Sequence, residues 1–92
     1  MQVIRQKTTQ GGKLIFNFSV KGSKFLVKNF TEGYIKVAFD EEDKADILIP
    51  GNAAQICVIS ENSGYESYAR DTVYVIAEQE SEKGVEVQCL RW

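Results

Sequence analysis

Leu14-Ile15-Phe16-Asn17-Phe18-Ser19-Val20-Lys21 is the stretch whose pattern decides the fold. Leu14, Phe16, Phe18 and Val20 fall on one face and Asn17 and Ser19 on the other, the period-two alternation of a half-buried strand. Lys21-Gly22-Ser23-Lys24 follows as a tight turn of hairpin type, and Phe25 to Phe30 forms the next strand. The spacing predicts that these two strands pair antiparallel.

Working outward, the same rhythm recurs every 8 to 12 residues, and nowhere does a helical period persist. Residues 2 to 8 make a weak strand before Gly11-Gly12. Thr31-Glu32-Gly33 reverses the chain into Tyr34 to Asp40, where Ile35, Val37 and Phe39 point inward. After an acidic loop comes Asp46 to Ile49, stopped by the only proline, and Pro50-Gly51 suits the central positions of a type II turn. Strands are then expected at Ala54 to Ser60, Thr72 to Ala77 and Val85 to Arg91, with Val85, Val87 and Cys89 facing in. The fold class is therefore all-β: one small antiparallel β-sandwich or barrel of about seven to eight short strands. Ninety-two residues allow a single domain over 1–92, with residues 1–10 either a flexible arm or a weak edge strand.

Composition narrows the chemistry. The chain has no histidine, which removes Ser-His-Asp and Cys-His nucleophiles and every His-containing zinc site. No glycine-rich phosphate loop surrounds Gly11-Gly12. With no nucleophile placed beside a base, the chain reads as a non-enzyme with no catalytic residues, cofactor or metal. Cys57 and Cys89 form no Cys-x-x-Cys pair and sit among strand-like apolar residues, so they read as small buried hydrophobes rather than a disulfide. The N-terminus lacks the apolar core of a signal peptide, and no run approaches the length of a membrane span. A cytoplasmic origin is the expectation, and the sequons at Asn17 and Asn29 are chance occurrences on that reading.

The net charge of −2 hides two unlike halves. Residues 1–39 carry seven basic residues against Glu32 alone, while residues 40–92 carry four basic and twelve acidic ones. Either basic strands lie beside acidic ones and pair across a sheet, or a basic patch meets the acidic patch of the next copy in head-to-tail contacts. Aromatic and basic residues are not interleaved as in an RNA-binding motif, so no nucleic-acid partner is expected. The acidic runs 40–46 and 78–84 lack the spacing of a calcium loop and read as solvated turns, Lys83-Gly84 ending the second.

The connection Asn62-Ser63-Gly64-Tyr65-Glu66-Ser67-Tyr68-Ala69-Arg70-Asp71 is long and tyrosine-rich. Tyrosine offers large amphipathic contact area at small entropic cost, so Tyr65, Tyr68 and Arg70 are the candidate partner-binding residues if this loop binds. The competing reading makes part of it an additional strand. Trp92 either closes one end of the core or anchors a neighbouring subunit.

The pieces Val27-Lys28-Asn29-Phe30-Thr31-Glu32-Gly33-Tyr34-Ile35-Lys36-Val37-Ala38-Phe39, Ile47-Leu48-Ile49-Pro50-Gly51, Val73-Tyr74-Val75-Ile76-Ala77 and Gly84-Val85-Glu86-Val87-Gln88 occur in that order. So ordered, they resemble small all-β virion structural proteins of tailed bacteriophages and prophages. The similarity covers about residues 25–92, and residues 1–24 have no counterpart in it. The resemblance implies a head, neck or tail protein located in the virion, with other virion proteins or copies of itself as partners. It brings no catalytic or binding residues. The alternative is a small binding module, in a bacterial cytoplasm, that holds a carbohydrate or peptide through the loop 61–71.

Overall fold

The computed structural model describes residues 2–39, 47–58 and 69–91. They form eight strands: β1 (Gln2–Thr8), β2 (Lys13–Gly22), β3 (Lys24–Asn29), β4 (Ile35–Ala38), β5 (Ile47–Ile49), β6 (Ala54–Val58), β7 (Arg70–Ala77) and β8 (Ser81–Arg91). The first strand pairs with the last, the second with the seventh, the third with the sixth and the fourth with the fifth, all antiparallel. Ladders β3–β8 and β4–β7 then roll this long hairpin into two four-stranded sheets, of order β1-β8-β3-β6 and β2-β7-β4-β5. Two separate sheets make the molecule a sandwich rather than a barrel, and the pairing scheme is that of a jelly roll.

The alternation read from the sequence places the core. Phe16, Phe18, Val73 and Val75 from the second sheet face Phe25, Val27, Val85 and Val87 from the first, all buried. The rings of Phe18 and Phe25 meet at 5.6 Å and those of Phe25 and Phe39 at 5.5 Å, both tilted, as aromatic quadrupoles prefer. Cys57 and Cys89 are buried and form no disulfide, and both lie opposite Phe25 in register, one on each side of it. Two strand spacings of about 4.8 Å separate them, beyond the reach of a disulfide. Burial raises the Cys57 thiol to about 11, which keeps it protonated.

Four local expectations are corrected. The turn Lys21–Lys24 does not join a hairpin: β2 and β3 lie in opposite sheets. Phe18 and Phe25 face each other across the core instead of standing side by side, because each strand finds its apolar partner elsewhere, Phe16 opposite Val73 and Phe25 opposite Cys57 and Cys89. Gly51 does not have the positive φ of a type II turn; Asn52 does, at 58°. Gly51 is needed for space, since a Cβ there would stand 2.4 Å from the Glu32 carbonyl oxygen. Lys83-Gly84 lies inside β8 rather than ending a turn, and Gly84 forms an irregularity at φ 69° opposite the Gln6–Thr8 segment of β1. Arg70 and Asp71 belong to β7, not to the preceding loop, because Arg70 pairs with Gly22.

Residues 2–8 settle as an edge strand. Arg5 fastens it, donating from Nε and Nη2 to the Lys83 carbonyl at 3.0 and 2.9 Å while its guanidinium lies 4.3 Å over the Phe30 ring.

Candidate functional site

Jelly-roll strands bury one face and leave the other to solvent, so side chains of the opposite phase make the outer surfaces. On the second sheet that phase is unusually apolar. Lys13, Ile76, Lys36 and Leu48 form one row across β2, β7, β4 and β5, and Ile15 and Tyr74 begin the next, beside the buried Ala38. Ile15, Leu48 and Tyr34 are about half exposed. The Lys13 ammonium lies 5.6 Å from the Tyr74 ring centre.

Where this face meets the end of the sandwich, Tyr34, Lys36, Leu48 and Ile76 line an open groove of about 620 Å³, closed below by Gln10-Gly11 and Ala77-Glu78. Its lower rim is held by backbone bonds: Gly11 N–H donates to the Ala77 carbonyl at 2.9 Å and Glu78 N–H to the Tyr34 carbonyl at 3.0 Å. The Glu78 carboxylate accepts from Tyr34 N–H at 3.2 Å. An apolar floor, an upright tyrosine and a lysine suit an amphipathic protein or peptide segment; the volume lies in the range of ligand sites.

Beneath the same end lies a buried polar knot. Asn29 is 1% exposed, and its Nδ2 faces the carbonyls of Gly33 at 2.9 Å, Pro50 at 3.0 Å and Ile49 at 3.1 Å. Its Oδ1 accepts from Thr31 N–H at 2.9 Å and from the Thr31 hydroxyl at 2.6 Å. The knot ties the β3–β4 connection to the β5–β6 turn, which is braced further by Asn52 N–H donating to the Thr31 carbonyl at 2.9 Å. It therefore sets the positions of Tyr34 and Leu48, the large apolar and aromatic side chains exposed in the groove. The amide that a glycan would use is sealed here, so the Asn29 sequon is structural.

Of the candidate residues named from sequence, Tyr65, Tyr68 and Trp92 lie outside the described residues. Arg70 opens β7, half-buried, with its Nη1 donating to the Ala69 carbonyl at 3.1 Å. The register brings their neighbours in the chain together: Val58 and Arg91 both pair with Lys24, and Arg70 pairs with Gly22. That end of the sandwich is opposite the groove. Among the described residues no cluster of His, Cys, Asp or Glu is arranged to hold a metal, and no helix is long and apolar enough to cross a membrane.

Sequence reading missed both the groove and the knot. Ile15, Leu48 and Ile76 interrupt the alternation as apolar residues in outward phase. Asn29 continues the inward phase of Phe25 and Val27, which marks it as a buried amide.

Fold and surface together define a small jelly-roll domain with an apolar outer groove. A scan of protein-family models and searches of curated proteins and of solved structures each found no match to the chain.

Proposed function

We propose that this chain is a non-enzymatic assembly protein that acts by protein–protein association, as a structural component of a tailed phage or prophage virion. The observation that carries the association is the apolar outer face of the second sheet, with Tyr34 and Leu48 about half exposed in the groove and Ile15 about half exposed on β2. Exposed apolar surface of this kind marks contact surfaces on folded domains. The virion setting is supported by the ordered sequence resemblance over residues 25–92. It is also supported by analogy with the jelly rolls of viral capsids, a warrant of fold and not of site.

Two measurements test this. Mass spectrometry of purified tailed particles from the strain that carries the gene should detect the chain in stoichiometric amount; its absence overturns the virion setting. Leu48→Lys, which places a charge at the groove wall, should exclude the chain from particles while leaving its thermal melt unchanged. Normal incorporation of that variant would dismiss the groove as the contact.

A second reading is a module that recognises a carbohydrate or peptide through the loop 61–71. It is favoured by the shared end of the sandwich at which Arg70 and the strand leading to Trp92 arrive. Tyr65→Ala and Tyr68→Ala should abolish any glycan or peptide binding found for the native chain, and a screen with no hits dismisses this reading.

A further inference from the structure

A two-sheet sandwich has four edge strands, and each presents unpaired backbone groups that invite another chain unless something blocks them. Three of the four are blocked here. On β2, Ser19 N–H donates to Gln2 Oε1 at 2.8 Å and the Ile15 carbonyl accepts from Gln6 Nε2 at 2.7 Å, so two glutamines from β1 occupy the backbone groups. On β1, Arg5 and Lys7 supply charge and the register with β8 is broken after Gln6. β5 has three residues and is followed by Pro50. The fourth edge, β6, is Ala54-Gln55-Ile56-Cys57-Val58: five residues with no charge, no proline and an unbroken register against β3.

The backbone direction of this edge follows from one bond. Asn29 N–H donates to the Ala53 carbonyl at 2.8 Å. In an antiparallel ladder alternate residues bond to the same side. Ala53, Gln55 and Cys57 therefore bond toward β3, and the N–H and C=O groups of Ala54, Ile56 and Val58 point to the free edge. Their side chains are exposed, Ile56 at 54% and Val58 at 52%, as is Gln55, while Cys57 is buried.

We propose that β6 is a self-pairing edge, which joins the first sheets of two copies of this chain into one continuous antiparallel sheet about a two-fold axis at Ile56. The strand is self-complementary in this register. Ile56 meets Ile56 of the second copy and Ala54 meets Val58, each pair exchanging both backbone bonds, while Gln55 meets Cys57 on the inner side. Leu26, opposite Ile56 on β3, extends the apolar row on both copies. No charge lies on the strand, so no like-charge pair opposes the contact, and an isologous pairing of this kind closes at two copies. The contact lies on the opposite sheet from the groove, so it stands or falls independently of what that groove receives.

Sedimentation analysis should show twice the chain mass at concentrations up to about 1 mM, the weak limit of specific association. Ile56→Lys should return it to a monomer with an unchanged circular dichroism spectrum, and Leu48→Lys should leave the dimer intact. Cysteine cross-linking reads the register directly. Ile56→Cys places two Cα atoms about 5.5 Å apart across the axis, within disulfide range, whereas Ala54→Cys leaves its two copies about 14 Å apart. Oxidation should therefore link the first variant and not the second, with Cys57 and Cys89 buried in both. A monomer throughout the concentration range, a dimer that survives Ile56→Lys, or equal cross-linking of the two cysteine variants would each overturn the proposal.

Discussion

Asn29→Ala is the substitution that most directly probes how the groove end is held. It removes a buried amide whose Nδ2 faces three carbonyls and whose Oδ1 satisfies the N–H and hydroxyl of Thr31. Some of these groups have other partners: the Thr31 hydroxyl also lies 2.9 Å from the Gly33 carbonyl. The Thr31 N–H and the Pro50 carbonyl are the groups most exposed to loss. Leaving a buried polar group unpaired costs about 1–3 kcal/mol, and water entering the space left by the side chain offsets part of that. A net loss of about 3 kcal/mol is expected, against a total of about 5–14 kcal/mol for a chain of this length. At about 4–8 °C per kcal/mol the melting temperature should fall by roughly 12–24 °C.

Urea and thermal denaturation followed by circular dichroism measure this loss. Asn17→Ala is the control, because Asn17 is exposed and its Oδ1 accepts from the Thr72 hydroxyl at 3.1 Å on the surface. It should change stability by less than about 0.5 kcal/mol. Asn29→Asp sharpens the test. An ionised carboxylate would turn acceptor oxygens on three carbonyls, so its folded pKa must rise above the ordinary aspartate value of about 3.9. The variant is then closest to native stability below that ordinary value and loses stability as pH rises through the elevated folded pKa. An Asn29→Ala loss no larger than that of Asn17→Ala, or an Asn29→Asp deficit that is flat with pH, would refute the role assigned to the knot.

Three further outcomes are expected. Gly84→Ala should cost about 2 kcal/mol or more, since it adds the strain of φ 69° to a Cβ placed 1.9 Å from the Gln6 carbonyl oxygen. Gly11→Ala, at φ 70° with open space around it, should cost less, and chemical denaturation of the pair isolates the clash. The Glu86 carboxyl is held below its ordinary value by the hydrogen bond from Gln88, then by the charge of Lys28 and of Arg5. Its contribution is therefore present above the ordinary carboxylate range and lost as pH falls through the lowered folded value, so native and Glu86→Gln stability should converge in acid; a difference unchanged between neutral pH and pH of about 3 counts against the pairing. Cys57, raised to about 11 and buried, should resist iodoacetamide at pH of about 8 in the native protein and react in urea, as mass spectrometry of the alkylated chain reads out.

The strands were legible because their alternation is local. Leu14 to Val20 and Val85 to Cys89 each state which side chains face in, and the structure agrees to within a few residues. Sheet membership was not legible, because Lys21-Gly22-Ser23-Lys24 has the same turn chemistry whether it closes a hairpin or carries the chain from one sheet to the other. What decides between them is the long-range match of Phe16 with Val73 and of Phe25 with Cys57 and Cys89, which no local window contains. The same limit hid the groove. Leu48 and Ile76 were visible as breaks in alternation, but only the β5-β4-β7 register shows that both flank Lys36.

That topology also decides how the uneven charge is distributed. Every ladder joins a strand from residues 2–38 to one from residues 47–91. The first four strands contain Arg5, Lys7, Lys13, Lys21, Lys24, Lys28 and Lys36 and no acidic residue, whereas β5 and β6 are uncharged and β7 and β8 each balance their own charges. The basic residues of the first half are thus distributed over described strands of both sheets. Direct cross-strand pairing is a local effect: Glu86 lies opposite Arg5 on one side and Lys28 on the other, with the Lys28 ammonium 3.6 Å from its carboxylate, while Lys24 falls opposite Arg91. A single pair of that kind, half-buried and still reached by solvent, adds little stability. Its use is positional, since a carboxylate between two cations favours one register of β8 against both neighbours. Of the two uncharged edges, β5 has three residues and runs into Pro50, whereas β6 has five, with no proline and no side chain on its outward backbone groups among the described residues, so β6 is the strand left for contact.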